Sequence, residues 1–174
     1  MTNVLQISNN QIVLEDVQFM FMPNFEGRQE KYNRAGDRYF NVQVDEEAAK
    51  LLTEYGVNIK EYQPDPERIP EGADPNTYRV YFFKVRVYTQ FSMPSVAIIY
   101  DDGELGADEV IDPSQRTFLT NEDELGMIDT MEIAAMDMVI ARRDPSPDGI
   151  YARLNLKSAY IHVVANPLQR RYGF

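Results

Sequence analysis

The stretch YRVYFFKVRVYT, residues 78–89, carries the strongest β-strand signal in the chain. β-Branched and aromatic residues dominate it, and it contains neither glycine nor proline. Successive side chains of a strand point to opposite sides of the sheet. We therefore predict a strand whose apolar face packs on a core and whose other face displays Lys84, Arg86 and Tyr88. The apolar face comprises Tyr81, Phe83, Val85 and Val87.

Segments with the same alternation lie on both sides of this stretch. Gln11–Phe21 alternates with a break of phase at Asp16, after which Val17, Phe19 and Phe21 share one side. Tyr39–Val44 alternates without a break, and Asp144–Gly149 contains the proline and glycine of a hairpin connection. The remaining predicted strands are Val57–Tyr62, Ser95–Tyr100, Ala134–Arg143 and Ile150–Val164.

Two helices interrupt the predicted strands. Asp45 can cap a helix over Glu46–Tyr55, and Gly56 can end it. Asn121 can cap a short helix over Glu122–Thr130. Six or seven strands with one interposed helix in a chain of 174 residues predict a mainly β fold, a barrel or a sandwich. We expect one domain over residues 1–174.

The net charge of -11 is concentrated in two segments. Residues 61–77 hold five acidic side chains and one basic, and residues 101–132 hold eleven acidic and one basic. We predict acidic excursions at 63–77 and 101–132 and a short tail at 165–174. A basic surface can coexist with such segments, although acidic loops that only keep the protein soluble are the alternative.

The composition excludes several classes of function. The chain has no cysteine and one histidine, His162, which rules out thiolate metal sites, cysteine nucleophiles and multi-histidine metal centres. We predict no catalysis, no metal and no cofactor. No stretch approaches the ~20 apolar residues of a membrane span, and residues 1–26 lack the basic start of a signal peptide. We expect a cytoplasmic protein.

Basic and aromatic side chains lie close together in three parts of the sequence, which are residues 84–88, the final predicted strand and the loop before residue 39. In the final predicted strand Ile150, Ala152, Leu154 and Leu156 form an apolar face. Tyr151, Arg153 and Lys157 lie opposite. The loop Phe25–Arg38 adds Phe25, Arg28, Lys31, Tyr32, Arg34 and Arg38, followed by Tyr39. Cations that neutralise phosphates and rings that stack on bases are what single-stranded nucleic acid requires.

Two other functions fit parts of the pattern. The same faces could contact protein in a virion or assembly protein. A metal-dependent nuclease would need carboxylates, and the candidates are Asp101, Asp102, Glu104, Asp108 and Glu109. These five lie close together in one loop, whereas catalytic carboxylates normally come from several rigid elements.

Residues 24–40 resemble a family of small bacteriophage single-stranded DNA-binding proteins. The resemblance lies in Asn24-Phe25-Glu26-Gly27-Arg28 and in the run Lys31-Tyr32-Asn33-Arg34-Ala35-Gly36-Asp37-Arg38-Tyr39-Phe40. Weaker matches occur at 45–60, 125–129 and 156–161. The resemblance implies an OB-fold-like barrel that binds single-stranded DNA in phage replication or recombination, in the host cytoplasm and without catalysis. It places Phe25, Arg28, Tyr32, Arg34, Arg38 and Tyr39 nearest the DNA.

The residues support the expected binding partners to different degrees. Single-stranded DNA is the expected partner, and its preference over RNA comes from the resemblance alone, since stacking and phosphate contacts serve both. The acidic segments 63–77 and 101–132 could recruit a basic protein. The outer strand faces or the tail Leu168–Phe174 could form a contact between subunits.

Overall fold

The computed structural model describes residues 3–100 and 116–164. Nine strands and one α-helix, α1 (Glu46–Glu54), form these parts of the chain. Short 3-10 turns cover Pro66–Arg68, Pro75–Tyr78 and Glu122–Thr130. The strands are β1 (Asn3–Ile7), β2 (Gln11–Asn24), β3 (Arg38–Val44), β4 (Lys60–Tyr62), β5 (Val80–Val87), β6 (Ser95–Tyr100), β7 (Arg116–Phe118), β8 (Ile133–Arg143) and β9 (Arg153–Val163).

Five strands close into a barrel in the order β2-β3-β5-β9-β8 and back to β2. All neighbours in this ring are antiparallel except β5 and β9, which run parallel and pair through Arg86 and Asn155. Four strands extend the ring: β1 pairs with β2, β4 with β5, β6 with β9, and β7 with β6. The predicted OB-fold-like barrel is confirmed.

The core fills the barrel with the side chains that alternation assigned to its inner faces. Phe83, Val85 and Val87 of β5 are buried, as predicted. Helix α1 packs Leu52 against the core, and Asp45 caps it by accepting a hydrogen bond from the N–H of Ala48. Leu125 and Ile128 of the 3-10 turn Glu122–Thr130 are also buried.

Strand β2 contains two residues with positive φ. Asp16 has φ 56° where the register with β8 shifts, which matches the predicted break of phase. Phe21 has φ 63° within the shift of register against β3, between Met20 and Asn24. The second irregularity turns Phe21 outward. Its side chain is exposed, so the prediction that it shares the inner side with Val17 and Phe19 is wrong.

The hairpin between β8 and β9 is longer than predicted. Strand β9 begins at Arg153, so Ile150 belongs to the connection and is 80% exposed. Its assignment to the apolar face is therefore wrong, whereas Leu154 and Leu156 are buried as expected. Among the described residues, no helix has both the length and the apolar character needed to cross a membrane.

Candidate nucleic-acid interface

The outer surface of β3 and β5 carries the first part of the site. Lys84 and Arg86 project from β5 away from the buried Phe83 and Val85. On β3, Tyr39 lies opposite Arg86 and Asn41 opposite Lys84. The Nζ of Lys84 lies 4.2 Å from the centre of the Tyr39 ring, a cation–π contact.

The loop between β2 and β3, residues 25–37, carries the second part and is organised by Asn24. The side chain of Asn24 is fully buried. Its Oδ1 accepts hydrogen bonds from the N–H groups of Gly27 (2.9 Å) and Arg28 (2.8 Å). Its Nδ2 donates to the carbonyl of Arg28 (3.0 Å) and to Oε1 of Glu30 (2.8 Å). One amide therefore fixes the first turn of the loop.

Asn33 fixes the second turn of the same loop. Its Nδ2 contacts the carbonyls of Arg28 (2.9 Å) and Asp37 (2.9 Å), and Gly36 donates its N–H to the carbonyl of Gly27 (2.8 Å). A Cβ on Gly27, which has φ 78°, would lie 3.2 Å from the backbone of Gly36. Several motif residues thus shape the loop.

Two predicted DNA-binding arginines are held by protein groups. Arg28 Nη1 donates to the buried carboxylate of Asp129 at 3.2 Å, and its Nη2 donates to a backbone carbonyl. Arg38 Nε donates to the carbonyl of Phe25 at 2.9 Å, and its Nη1 donates to Thr89 at 3.2 Å. Both side chains therefore brace the loop against its neighbours, which leaves Arg38 only 15% exposed.

Phe25 lies in the core and not on the surface. It is 1% exposed and stacks on Phe40, with ring centres 5.2 Å apart and planes 9° from parallel, while Phe19 packs against both rings. The expectation that its ring lies at the DNA surface is corrected here. Burial of a large ring against two others anchors the start of the loop.

Three neighbouring grooves share lining residues on and just after β5, and together we call them the basic cleft. The first groove, of about 410 Å³, runs from Arg34 and Arg38 to Arg86 and Tyr88. The second, of about 330 Å³, shares Arg86 and Tyr88 and continues to the β8–β9 hairpin. The third, of about 280 Å³, shares Lys84 with the second. The cations and tyrosines of the basic cleft are Lys31, Tyr32, Arg34, Arg38, Tyr39, Lys60, Lys84, Arg86, Tyr88, Tyr151 and Arg153.

Positive charge dominates the middle of the basic cleft. Burial lowers the pKa of Lys84, and the nearby charges of Arg86 and Lys60 lower it further, while Glu30 and Asp37 raise it. Cations that repel one another at close range favour a bound anion. Burial and the hydrogen bond to Glu30 raise the pKa of Tyr39, so its ring stays neutral.

Three tyrosines present their rings to solvent along the basic cleft. Tyr32 is 89% exposed at the tip of the loop, Tyr88 is 52% exposed after β5, and Tyr151 is 47% exposed in the β8–β9 hairpin. An exposed ring beside a cation can stack on a base of any sequence.

The acidic side chains near the basic cleft have local partners. Asp37 pairs with Arg34 at 3.3 Å, and Glu30 accepts the hydroxyl of Tyr39 at 2.8 Å. Glu122 lies at one edge, where it accepts a hydrogen bond from Thr89 and lies 3.8 Å from Arg38. Residues 101–115 of the acidic segment 101–132 lie outside the described residues.

Besides Phe25, sequence reasoning placed Lys157 in this surface, which it does not line, and missed Lys60. Lys157 lies away from the basic cleft, with its Nζ 3.5 Å from Oε1 of Gln11 on β2. Lys60 was missed, although β4 pairs it with Phe82 of β5 and brings it into the cleft. Its only sequence signal was its place in a predicted extended segment.

The described residues contain no group of three or more histidine and acidic side chains that could hold a metal ion. The five carboxylates considered for a nuclease, between Asp101 and Glu109, lie outside the described residues.

The fold and the cleft together define a class of protein. In OB-folds the second and third barrel strands, with the loops 1–2 and 4–5, bind oligonucleotides. Here the corresponding elements are β3, β5, residues 25–37 and the β8–β9 hairpin, which are the elements that build the basic cleft. The molecule is thus an OB-fold-like barrel of the nucleic-acid-binding class. By sequence the chain belongs to the phage ssDNA-binding domain family, whose match covers residues 1–173.

Two solved structures to which this chain is similar are of a bacteriophage protein. A C-terminally truncated single-stranded DNA-binding protein from bacteriophage Enc34 shares 11% identity, covers 95% of this chain and 97% of its own, and gives a TM-score of 0.47. The same phage protein in complex with ssDNA shares 10% identity over 93% and 94% of the two chains, also with a TM-score of 0.47. No curated protein matches the sequence.

Proposed function

We propose that the protein binds single-stranded DNA without sequence preference, through the basic cleft. The observation that carries the proposal is the convergence of Lys84, Arg86 and Arg153 with the exposed rings of Tyr88 and Tyr151 in one groove. Phosphates would lie against the cations and bases against the rings. The family of the chain supports the same partner.

The cleft suits a flexible single strand better than a duplex. Its cations lie on four different strands, β3, β4, β5 and β9, and on the loop of residues 25–37, with rings between them. A bound strand that follows them would curve and splay its bases. A duplex hides those bases in its stack, which leaves the tyrosines without a partner. DNA in preference to RNA, and a part in phage replication or recombination in the host cytoplasm, complete the proposal.

Salt dependence tests the proposal directly. Binding of fluorescein-labelled oligo-dT should weaken as salt rises, with a log–log slope of about -0.7 for each neutralised phosphate. The double variant K84A/R86A should flatten that slope by about 1.4, because two cations leave the cleft. The matched control K50A/R68A removes the same charge from exposed positions outside the cleft and should leave the slope unchanged.

Four further measurements complete the test. A duplex of the same sequence should compete poorly, and oligo-rU measures the preference for DNA. Tyr88→Ala or Tyr151→Ala should cost about 1–3 kcal/mol of binding with little change of slope. Incubation with labelled oligonucleotide and Mg²⁺ should produce no shortening, as expected of a protein without catalysis. Equal slopes for both double variants would contradict the proposed surface.

A further inference from the structure

Three aromatic rings form a small exposed cluster on the outer side of the sheet, which we call the aromatic patch. The ring of Phe21 on β2 meets the ring of Phe82 on β5 edge-on, with centres 5.2 Å apart. It also meets Tyr62 on β4, with centres 6.0 Å apart. Phe21 is 54% exposed and Tyr62 is 38% exposed. Since β3 lies between β2 and β5, the ring of Phe21 reaches over the outer side of β3.

The backbone at Phe21 is unfavourable for a residue of its type. Its φ of 63° lies in the left-handed region, which costs a residue with a Cβ free energy that glycine does not lose. The same conformation directs a large apolar side chain to solvent, whereas continued alternation would have buried it beside Phe19. Local strain that persists in a folded protein commonly marks a functional position.

The aromatic patch continues the row of side chains that lines the basic cleft. Phe82, Lys84 and Arg86 follow one another on the outer face of β5, with ~6.6 Å between successive members. Lys60 of β4 pairs with Phe82. Glu61, the acidic residue next to the patch, forms an ion pair with Arg79. The cations of the cleft therefore lie directly beside the rings of the patch, on the same face of β5.

We propose that the aromatic patch is a second base-stacking site, where Phe21 and Tyr62 hold bases of a DNA strand that leaves the basic cleft past Lys60. The proposal rests on the proposed function and extends it. A strand of phosphates on the cations of β5 and β4 brings its bases to these rings, and the apolar surface suits bases without selecting their sequence.

A tryptophan reporter tests the stacking directly, because the chain contains no tryptophan. Phe21→Trp introduces one indole in the patch, Tyr88→Trp one in the cleft, and Phe118→Trp one at an exposed site of β7 that is 45% exposed. Saturating oligo-dT should quench the fluorescence of the first two variants and leave that of the third unchanged. Polarisation with labelled oligo-dT measures binding by each variant in parallel.

The outcomes separate the two proposals. Quenching at Tyr88→Trp without quenching at Phe21→Trp would overturn the second stacking site and leave the proposed function standing. Absence of oligonucleotide binding by the unaltered protein would remove the proposed function itself. Quenching at Phe118→Trp equal to that at Phe21→Trp would show unspecific contact and also overturn the second site.

Phe21→Gly distinguishes a binding role from a structural one. Glycine adopts a φ of 63° without steric cost, which offsets part of the packing lost against Phe82 and Tyr62. The variant should therefore stay folded at the temperature of the binding assay. Its affinity for a long oligo-dT should nevertheless fall about 5-fold or more, the loss expected when one base stack is removed. An affinity equal to that of the unaltered protein would refute the proposal, as would a fall in melting temperature with no fall in affinity for folded protein.

Discussion

Substitution of Asn24 by alanine should destabilise the protein strongly, because one buried amide serves four partners. In Asn24→Ala the carbonyl of Arg28 keeps its bond from Asn33, and the carboxylate of Glu30 keeps the hydroxyl of Tyr39. The N–H groups of Gly27 and Arg28 lose the acceptor they share. Each unpaired buried donor costs about 1–3 kcal/mol, which gives a range of about 2–6 kcal/mol.

We expect a loss of about 3 kcal/mol in the free energy of unfolding, because the hydrogen bond from the N–H of Arg28 is only partly buried and its loss costs less than that of a fully buried bond. Urea unfolding followed by circular dichroism measures this loss. The matched control Asn76→Ala alters an exposed asparagine and should change stability by about 0.5 kcal/mol or less. The loss is a large part of the ~5–15 kcal/mol that stabilises a typical domain.

Hydrogen exchange locates the effect within the chain. The amides of Gly27 and Arg28 should be protected in the unaltered protein and should exchange much faster in Asn24→Ala, while amides of β8 and β9 change only with the global stability. If Asn24→Ala and Asn76→Ala unfold at the same urea concentration, or if the two loop amides keep their protection, the account of the loop is wrong.

Three other perturbations follow from the structure. Burial raises the pKa of Asp137, but the His162 imidazole 3.7 Å away and a backbone N–H outweigh burial and leave the pKa below 3.8. The ionised Asp137 therefore stabilises the folded protein above pH 3.8, and this contribution is lost as the pH falls through the lowered pKa. The urea midpoints of Asp137→Asn and of the unaltered protein should converge in acid. Because the pKa of Lys84 is lowered from 10.5, Lys84 should lose its charge, and its contribution to DNA affinity, at a lower pH than an ordinary lysine does. In polarisation titrations at rising pH, the DNA affinity of Lys84→Arg should therefore begin to fall at a higher pH than that of the unaltered protein. Gly27→Ala should destabilise more than Gly72→Ala in thermal melts, since both have positive φ but only Gly27 lacks room for a Cβ; equal melting temperatures would contradict the packing seen there.

Alternation of side chains made most of the barrel predictable. In β5 the period of two is regular, and the buried and outward residues are those that the sequence indicated. The helix was predictable from its cap at Asp45 and its end at Gly56. These signals are local, so the sequence shows them without knowledge of the fold.

The parts that escaped prediction depend on contacts between distant segments. Phe25 belongs to the same motif as the exposed Tyr32, and only the closure of the loop on Phe40 decides that one ring is buried and the other is not. Phe21 continues an alternating pattern, and a backbone irregularity reverses its side. Lys60 enters the cleft because β4 pairs with β5. Strands β1 and β7 are short and carry little pattern of their own.

Arg28 and Arg38 show that a motif cation can have structural contacts that the motif alone does not indicate. Both are cations in a basic loop, which favours contact with phosphate. Asp129, 101 residues further along the chain, binds the first, and the carbonyl of Phe25 binds the second. The motif therefore encodes the shape of the loop as much as its chemistry.

The closure of the barrel has a mechanical consequence. Within the described strands, β5 and β9 meet at one backbone pair, Arg86 with Asn155, so this seam is the narrowest join in the wall. One groove is lined by Arg86 of β5 and by Arg153 of β9, on the two sides of this seam. A nucleic-acid strand bound along that groove would contact both β5 and β9. It would therefore stabilise the closed barrel, and separation of the two strands would require release of the nucleic acid.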